Sequence, residues 1–339
     1  MPTPTTKEDW REFCAYEPTP DIDRPDLTIK QINALSPEER NAYNERRIDY
    51  INEERVFPTR DLNRVLALSR KLMRAARVPK FVTRRGIRVS GDPRAGKSTC
   101  VMAAGKRLDA ELRRMNRREN DSSYIPVVYT TIAAASTTNK LWIRLADVVG
   151  ARALRGSNAD ERLADLARML KQLGTKFVIL DEVQRLDTDR RAGAEVADNI
   201  KVFAETLDAT MIFAVISLST APLFTGKHGE QWRKRTQPVN LSNYVRYDEA
   251  DMTEFTQLVA AFERLLPLPL HESGYLEHNA GYLFERTSGS IALLSDLINE
   301  AAADAIDSGI EAITIELLHA VSVGDEDLTA ADGAPDVGT

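Results

Sequence analysis

A chain of 339 residues, 43% of them hydrophobic and 28% charged, with a formal net charge of -6, is long enough for one large α/β domain plus a smaller one and excludes a disordered or fibrous polymer. Its only cysteines, Cys14 and Cys100, lie far apart without metal-ligand spacing, which excludes a disulfide framework and a zinc site and suits a reducing compartment. The N-terminus lacks a basic region followed by an apolar run, and no stretch of about 18 apolar residues occurs anywhere, so the expectation is a cytoplasmic protein, neither exported nor membrane-spanning.

Residues 1 to about 40 carry Pro2, Pro4, Pro18, Pro20 and Pro25 among polar side chains and read as a flexible arm, in which Trp10, Phe13 and Tyr16 offer a docking peptide. From Ser36 the pattern turns helical, with Ser36 as N-cap, Pro37 in the first position and Glu39 completing a capping box. A second helix runs from Thr59 to about Ala76. Between Arg60 and Arg88 ten basic residues are opposed only by Asp61, which makes either a solvated helix face or a surface for DNA phosphates or a neighbouring subunit.

Strands and helices then alternate. Gly86–Ser90, Ile125–Tyr129, Phe177–Leu180 and Met211–Ile216 read as strands, and 97–115, 139–149 and 159–173 as helices, which implies a parallel sheet with helices on both faces. After Tyr244 only helical spacing remains, over 252–265, 275–287, 291–308 and 314–321, and an acidic stretch without basic residues follows from Gly324. The domain plan is therefore an arm over 1–40, an α/β nucleotide-binding domain over 41–244, a helical lid over 245–323 and a disordered acidic tail over 324–339.

The chemistry lies in Gly91-Asp92-Pro93-Arg94-Ala95-Gly96-Lys97-Ser98, followed by Thr99. Two glycines let the backbone turn its N–H groups inward on a phosphate chain, Lys97 reaches the terminal phosphates and the Ser98 hydroxyl ligates Mg2+. The loop stands between a strand and a helix, whose positive N-terminal end adds to the cradle. Phe177-Val178-Ile179-Leu180-Asp181-Glu182 supplies the second element, with Asp181 toward the metal and Glu182 toward the water that attacks the γ-phosphate. Ser217 and Ser219, after the next strand, are candidates for a polar group between that water and the sheet, or are simple strand-end caps. Trp232-Arg233-Lys234-Arg235 offers a cation to the nucleotide of a neighbouring subunit, or is an exposed basic helix end.

This order of elements resembles the AAA+ ATPases. Over roughly residues 45 to 320 the closer resemblance is to the TniB family of transposition ATPases, relatives of TnsC and MuB. The matching stretches are Arg55-Val56-Phe57-Pro58-Thr59, Gly91 to Thr99, Lys176 to Gln184, Phe262-Glu263-Arg264-Leu265-Leu266-Pro267-Leu268, and Thr287 to Ile291 continuing through Ala301 to Gly309. The resemblance implies a P-loop AAA+ core with a parallel sheet flanked by helices, a C-terminal helical lid, and ATP with Mg2+ as cofactors. It also implies a ring or helical filament that encircles double-stranded DNA without regard to sequence, recruits a transposase and is dismantled by hydrolysis. In that frame Arg235 is the trans-acting arginine, although Thr236 follows it where the family has an aromatic residue. Thr137, Thr138, Asn139 and Lys140 fall where such rings track the DNA backbone. Thr138 or Asn139 also suits a plain helix cap. The lid lacks the arginine many AAA+ proteins direct at the γ-phosphate, and Arg286 is the nearest substitute. Two other functions share the same nucleotide residues: a loader or remodeller of a replication protein, and a nucleotide-locked protein scaffold without turnover.

Overall fold

The computed structural model describes residues 3–76, 85–134, 136–151, 154–156, 158–186, 190–217 and 221–323, with the backbone alone for 190–197, 222 and 226–228. The chain runs through α1 (Lys7–Ala15), α2 (Ile29–Ala34), α3 (Pro37–Asn52), α4 (Arg60–Ala75), β1 (Gly86–Gly91), α5 (Lys97–Asn116), β2 (Val127–Thr131), α6 (Thr138–Val148) and α7 (Ala159–Gln172). It continues with β3 (Phe177–Asp181), α8 (Arg190–Leu207), β4 (Thr210–Val215), α9 (Gly226–Arg235) and β5 (Thr236–Leu241). Five helices close it: α10 (Glu249–Glu263), α11 (Tyr275–His278), α12 (Ala280–Thr287), α13 (Ile291–Asp307) and α14 (Ile315–Ala320). The chain divides into two compact units, Met1–Tyr16 with Pro58–Ser242 and Glu17–Phe57 with the residues from Asn243 on.

In the first unit the strands form one parallel sheet in the order β2-β3-β4-β1-β5. Because side chains alternate along a strand, the sheet feeds two apolar layers. Val128, Val178, Leu180, Met211 and Phe213 enter the layer built with α6, α7 and the C-terminal half of α8. Ile87, Val89, Tyr129, Ile179, Ile212 and Ala214 enter the opposite layer with α1, α4 and α5. Both faces of the sheet are thus covered, as the continuous apolar strands require.

Several elements depart from the sequence reading. The arm expected to be flexible contains α1, which begins on a Thr6–Asp9 capping box and buries Trp10 and Phe13 against the sheet unit. Residues 17–57, including α2 and α3, fold with the C-terminal helices, so the helical unit draws on both ends of the chain. Strand β5 was not anticipated: Pro238 interrupts it, and a proline is admitted there because β5 ends the sheet. Helix α8 was likewise not anticipated, whereas the basic helix end offered for Trp232 to Arg235 is the last turn of α9. The basic stretch does not act as one surface, since Arg88 is buried, donating to Thr236 Oγ1 at 3.1 Å and lying over the Phe224 ring. Arg70 pairs with Glu111 at 2.9 Å. Arg77, Lys80 and Arg84, and the tail from Gly324, lie outside the described residues.

The second unit is all helix. Ser36 caps α3 by accepting from the Glu39 N–H, as the sequence predicts. Inside it Arg47 and Glu311, both at 0% exposure, form a two-pronged ion pair of 2.5 and 3.0 Å, and Arg47 also donates to the Pro267 carbonyl. Arg286, considered for the lid arginine, donates instead to the Leu318 and Val321 carbonyls and so anchors α14. Breaking a buried pair strands a charge. Arg47→Met is therefore expected to destabilise this unit by about 3–5 kcal/mol in chemical denaturation, and adding Glu311→Leu to recover most of that loss.

Candidate functional site

The carboxyl ends of β1, β3 and β4 gather the predicted residues. Strand β4 lies between β1 and β3, with Ser90 beside Val215 and Leu180 beside Phe213. The loop after β1 therefore faces the Asp181-Glu182 turn after β3, and Ser217 follows the strand between them. Ser219 lies outside the described residues.

The two loop glycines serve different purposes. Gly96 starts α5 with φ of 75°, in the left-handed region, where a Cβ is disfavoured although space is open. Gly91 is instead forced by proximity, because a Cβ there would sit 2.5 Å from the Leu241 carbonyl oxygen of β5. Asp92, Pro93 and Arg94 are exposed, Arg94 with φ of 62°, while Lys97 is buried and donates from Nζ to the Asp92 carbonyl at 2.5 Å. Burial holds the Lys97 ammonium below the usual lysine range, and the carboxylates of Glu182, Asp181 and Asp92 oppose that shift. Lysine and both carboxylates of the second element thus share one electrostatic neighbourhood.

Asp181, 3% exposed, is held from two sides: Oδ1 accepts from the Glu182 N–H at 2.8 Å and Oδ2 from the Tyr129 hydroxyl at 2.9 Å. Each carboxylate oxygen keeps a further lone pair. A Mg2+ ion takes a few protein oxygens and completes its shell with phosphate and water, so the carboxylate of Asp181 and the hydroxyl of Ser98 are a fitting donor set. Glu182 adopts φ of 58°, and its Oε2 accepts from Gln184 Nε2 and pairs with Arg185 Nε, both at 2.9 Å. Gln184 Oε1 in turn accepts from the Ile216 N–H at 3.3 Å, tying the glutamate to the end of β4. Tyr129, Gln184 and Arg185 were not singled out from sequence. Gln184 and Arg185 lie in the turn directly after Glu182, and Tyr129 precedes by two residues the Thr131 that pairs with Asp181.

The remaining candidates lie elsewhere. Arg235 ends α9 and pairs with Glu205 at 3.5 Å. Since Thr236 pairs with Gly86 and Leu241 with Gly91, Arg235 stands at the opposite end of β1 from the glycine loop. At about 3.3 Å per residue that is a separation of roughly 17 Å along the strand. Near α6, Thr137 rather than Thr138 or Asn139 is the cap, accepting from the Lys140 N–H at 3.4 Å. Thr138 is buried, Asn139 accepts from Arg162 at 2.9 Å, and Thr137 and Lys140 are exposed.

A family model described as Bacterial TniB protein matches residues 47–246, more than half of the chain. The chain belongs to the TniB family. No curated protein matches it significantly. Among solved structures this TniB-family chain resembles the Aeropyrum pernix ORC2 protein in ADPNP and ADP complexes, at TM-score 0.61 and 17% identity, covering 84% of this chain and 74% of that one. It also resembles the Pyrobaculum aerophilum CDC6P, at TM-score 0.55 and 16% identity over 84% and 73% of the two chains. The Aeropyrum pernix ORC1 protein in complex with DNA aligns at TM-score 0.54 and 18% identity over 84% and 67%. The shared fold is the α/β AAA+ fold, with a parallel sheet between helices and a helical C-terminal region. Among the described residues no helix is long and apolar enough to cross a membrane.

The two glycines of the loop make separable demands. Gly91→Ala is expected to cost about 1–3 kcal/mol by overpacking against β5. At Gly96, Asn should be tolerated better than Val, because asparagine enters the left-handed region more readily. Denaturant midpoints of the three variants check this.

Proposed function

We propose that this TniB-family chain is an ATP-dependent DNA-binding regulator of transposition, which assembles on double-stranded DNA when loaded with ATP and engages a transposase. The observation that carries the nucleotide half of this reading is the convergence of buried Lys97 with Asp181 and Glu182 at the carboxyl edge of the sheet. The backbone of Gly91 to Thr99 cradles the phosphates and Lys97 neutralises them. Ser98 and Asp181 would hold Mg2+, which supplies positive charge to the phosphate oxygens. Glu182 orients and deprotonates the attacking water, and Ser217 or Ser219 adds a polar contact to it.

Glu182 in this structure shares Oε2 with Gln184 and Arg185, an arrangement suited to restraining the base until the site is completed. In this reading a second copy completes the site with Arg235, which stands too far along β1 to serve its own chain's loop and is offered to a neighbour's nucleotide. The DNA half rests on the family and on the likeness to a protein whose solved form contains DNA. Thr137 and Lys140, exposed at the start of α6, are the members of the predicted stretch available to a phosphate backbone, and such contact is sequence-independent and salt-sensitive.

ATP turnover with and without duplex DNA tests the whole reading. Stimulation by DNA together with ATP-dependent assembly on it is expected; turnover raised only by a protein partner would favour a loader or remodeller, and none at all a scaffold. Glu182→Gln should lower turnover at least about 100-fold while leaving ATP binding and prolonging DNA-bound assemblies. Lys97→Ala should abolish both binding and assembly, and ATP-dependent assembly that survives it would falsify the role given to the loop.

A further inference from the structure

We infer that helix α1 is a positioning element of the nucleotide site, with Trp10 fixing Tyr129 and Tyr129 fixing Asp181. The inference rests on the reading of Asp181 given above. Helix α1 lies outside the stretch that carries the family match, which begins at residue 47.

The path is continuous. Trp10, 4% exposed, lies flat on the Tyr129 ring, with centroids 5.6 Å apart and planes 11° from parallel. It reaches that position because α5 presents Gly105: a Cβ there would come within 2.8 Å of Trp10 Cη2 and equally close to Ile179 Cδ1. Tyr129 pairs with Ile179 across β2 and β3, so its side chain shares a face with Asp181 two residues further on. A diagonal neighbour in a sheet is within reach of a long side chain, and the Tyr129 hydroxyl donates to Asp181 Oδ2 at 2.9 Å. Since that proton is used, the 3.1 Å contact with Thr131 Oγ1 makes threonine the donor to tyrosine, and a relay of hydroxyls ends on the carboxylate. Elsewhere α1 is tied at its edges, by Arg11 to the Ser122 carbonyl and by Lys106 to the Tyr16 carbonyl beside the helix end. Trp10 alone among these contacts touches a residue bonded to Asp181.

A group that orients a metal ligand from behind alters metal affinity more than it alters folding, typically by about 10–100-fold. The test is the Mg2+ concentration that half-saturates binding of a fluorescent ATP analogue, measured beside its Mg2+-free affinity and the melting temperature. Tyr129→Phe and Trp10→Ala should each raise that concentration about 10-fold while leaving Mg2+-free affinity unchanged. Trp10→Phe should restore most of it, and the double variant should match Tyr129→Phe alone, because both act through one contact. If Trp10→Ala does not fold, Gly105→Ala displaces the indole from the other side and should give the same shift. Effects that add in the double variant, or folded Trp10 and Gly105 variants with the wild-type Mg2+ requirement, overturn the inference. Lys97→Ala separates the two levels: if it leaves analogue binding intact, the nucleotide-site reading itself falls, whereas if it abolishes binding and the Trp10 variants behave as wild type, only the positioning role does.

Discussion

Removing an ammonium group from water is unfavourable unless negative charge lies near, and the carboxyl edge of this sheet satisfies that condition at Lys97 with Glu182, Asp181 and Asp92. Lys97 and Asp92 follow β1 whereas Asp181 and Glu182 end β3, so the balance holds only if β1 and β3 end at the same level with β4 between them. The parallel register therefore does more than bury apolar surface. It sets the distance over which three carboxylates and one cation act, and a phosphate chain entering there meets donors already held in place.

The carboxylates are restrained in unequal ways. Asp181, itself buried, is fixed by one backbone N–H and one buried phenol and has little freedom. Glu182 stands on a left-handed residue with its contacts made by Gln184 and the more exposed Arg185, which can rearrange at smaller cost. In the function proposed above, a rigid ligand-holding group beside a movable base suits stable binding of nucleotide and hydrolysis only on a signal.

Much of this was legible in the sequence, and the reasons are physical. The loop from Gly91 to Ser98 and the run ending in Asp181-Glu182 are encoded by local spacing, because backbone geometry permits few other residues there. Arg47 and Glu311 are 264 positions apart, and no local pattern announces that two charges at that separation meet in a core. Helix α1 is an intermediate case. Its Thr6–Asp9 capping box was readable, but the surrounding prolines argued for an arm, and what holds the helix is Trp10 in a recess that exists only because residue 105 is glycine. Strand β5 was hidden by Pro238, and the buried Arg88 was hidden in a basic run in which Arg64, Arg74 and Arg85 are exposed.

Pro238 has a wider consequence. An open sheet ends in rows of backbone groups that invite another strand, and a proline in the terminal strand offers no N–H to such a visitor. Because β1 occupies the other side of β5, the nitrogen of Pro238 belongs on the outward rim. Joining edge to edge is thus discouraged at β5, whereas β2, the opposite edge, carries no proline and keeps its backbone donors, so the two rims of one sheet differ in what they admit.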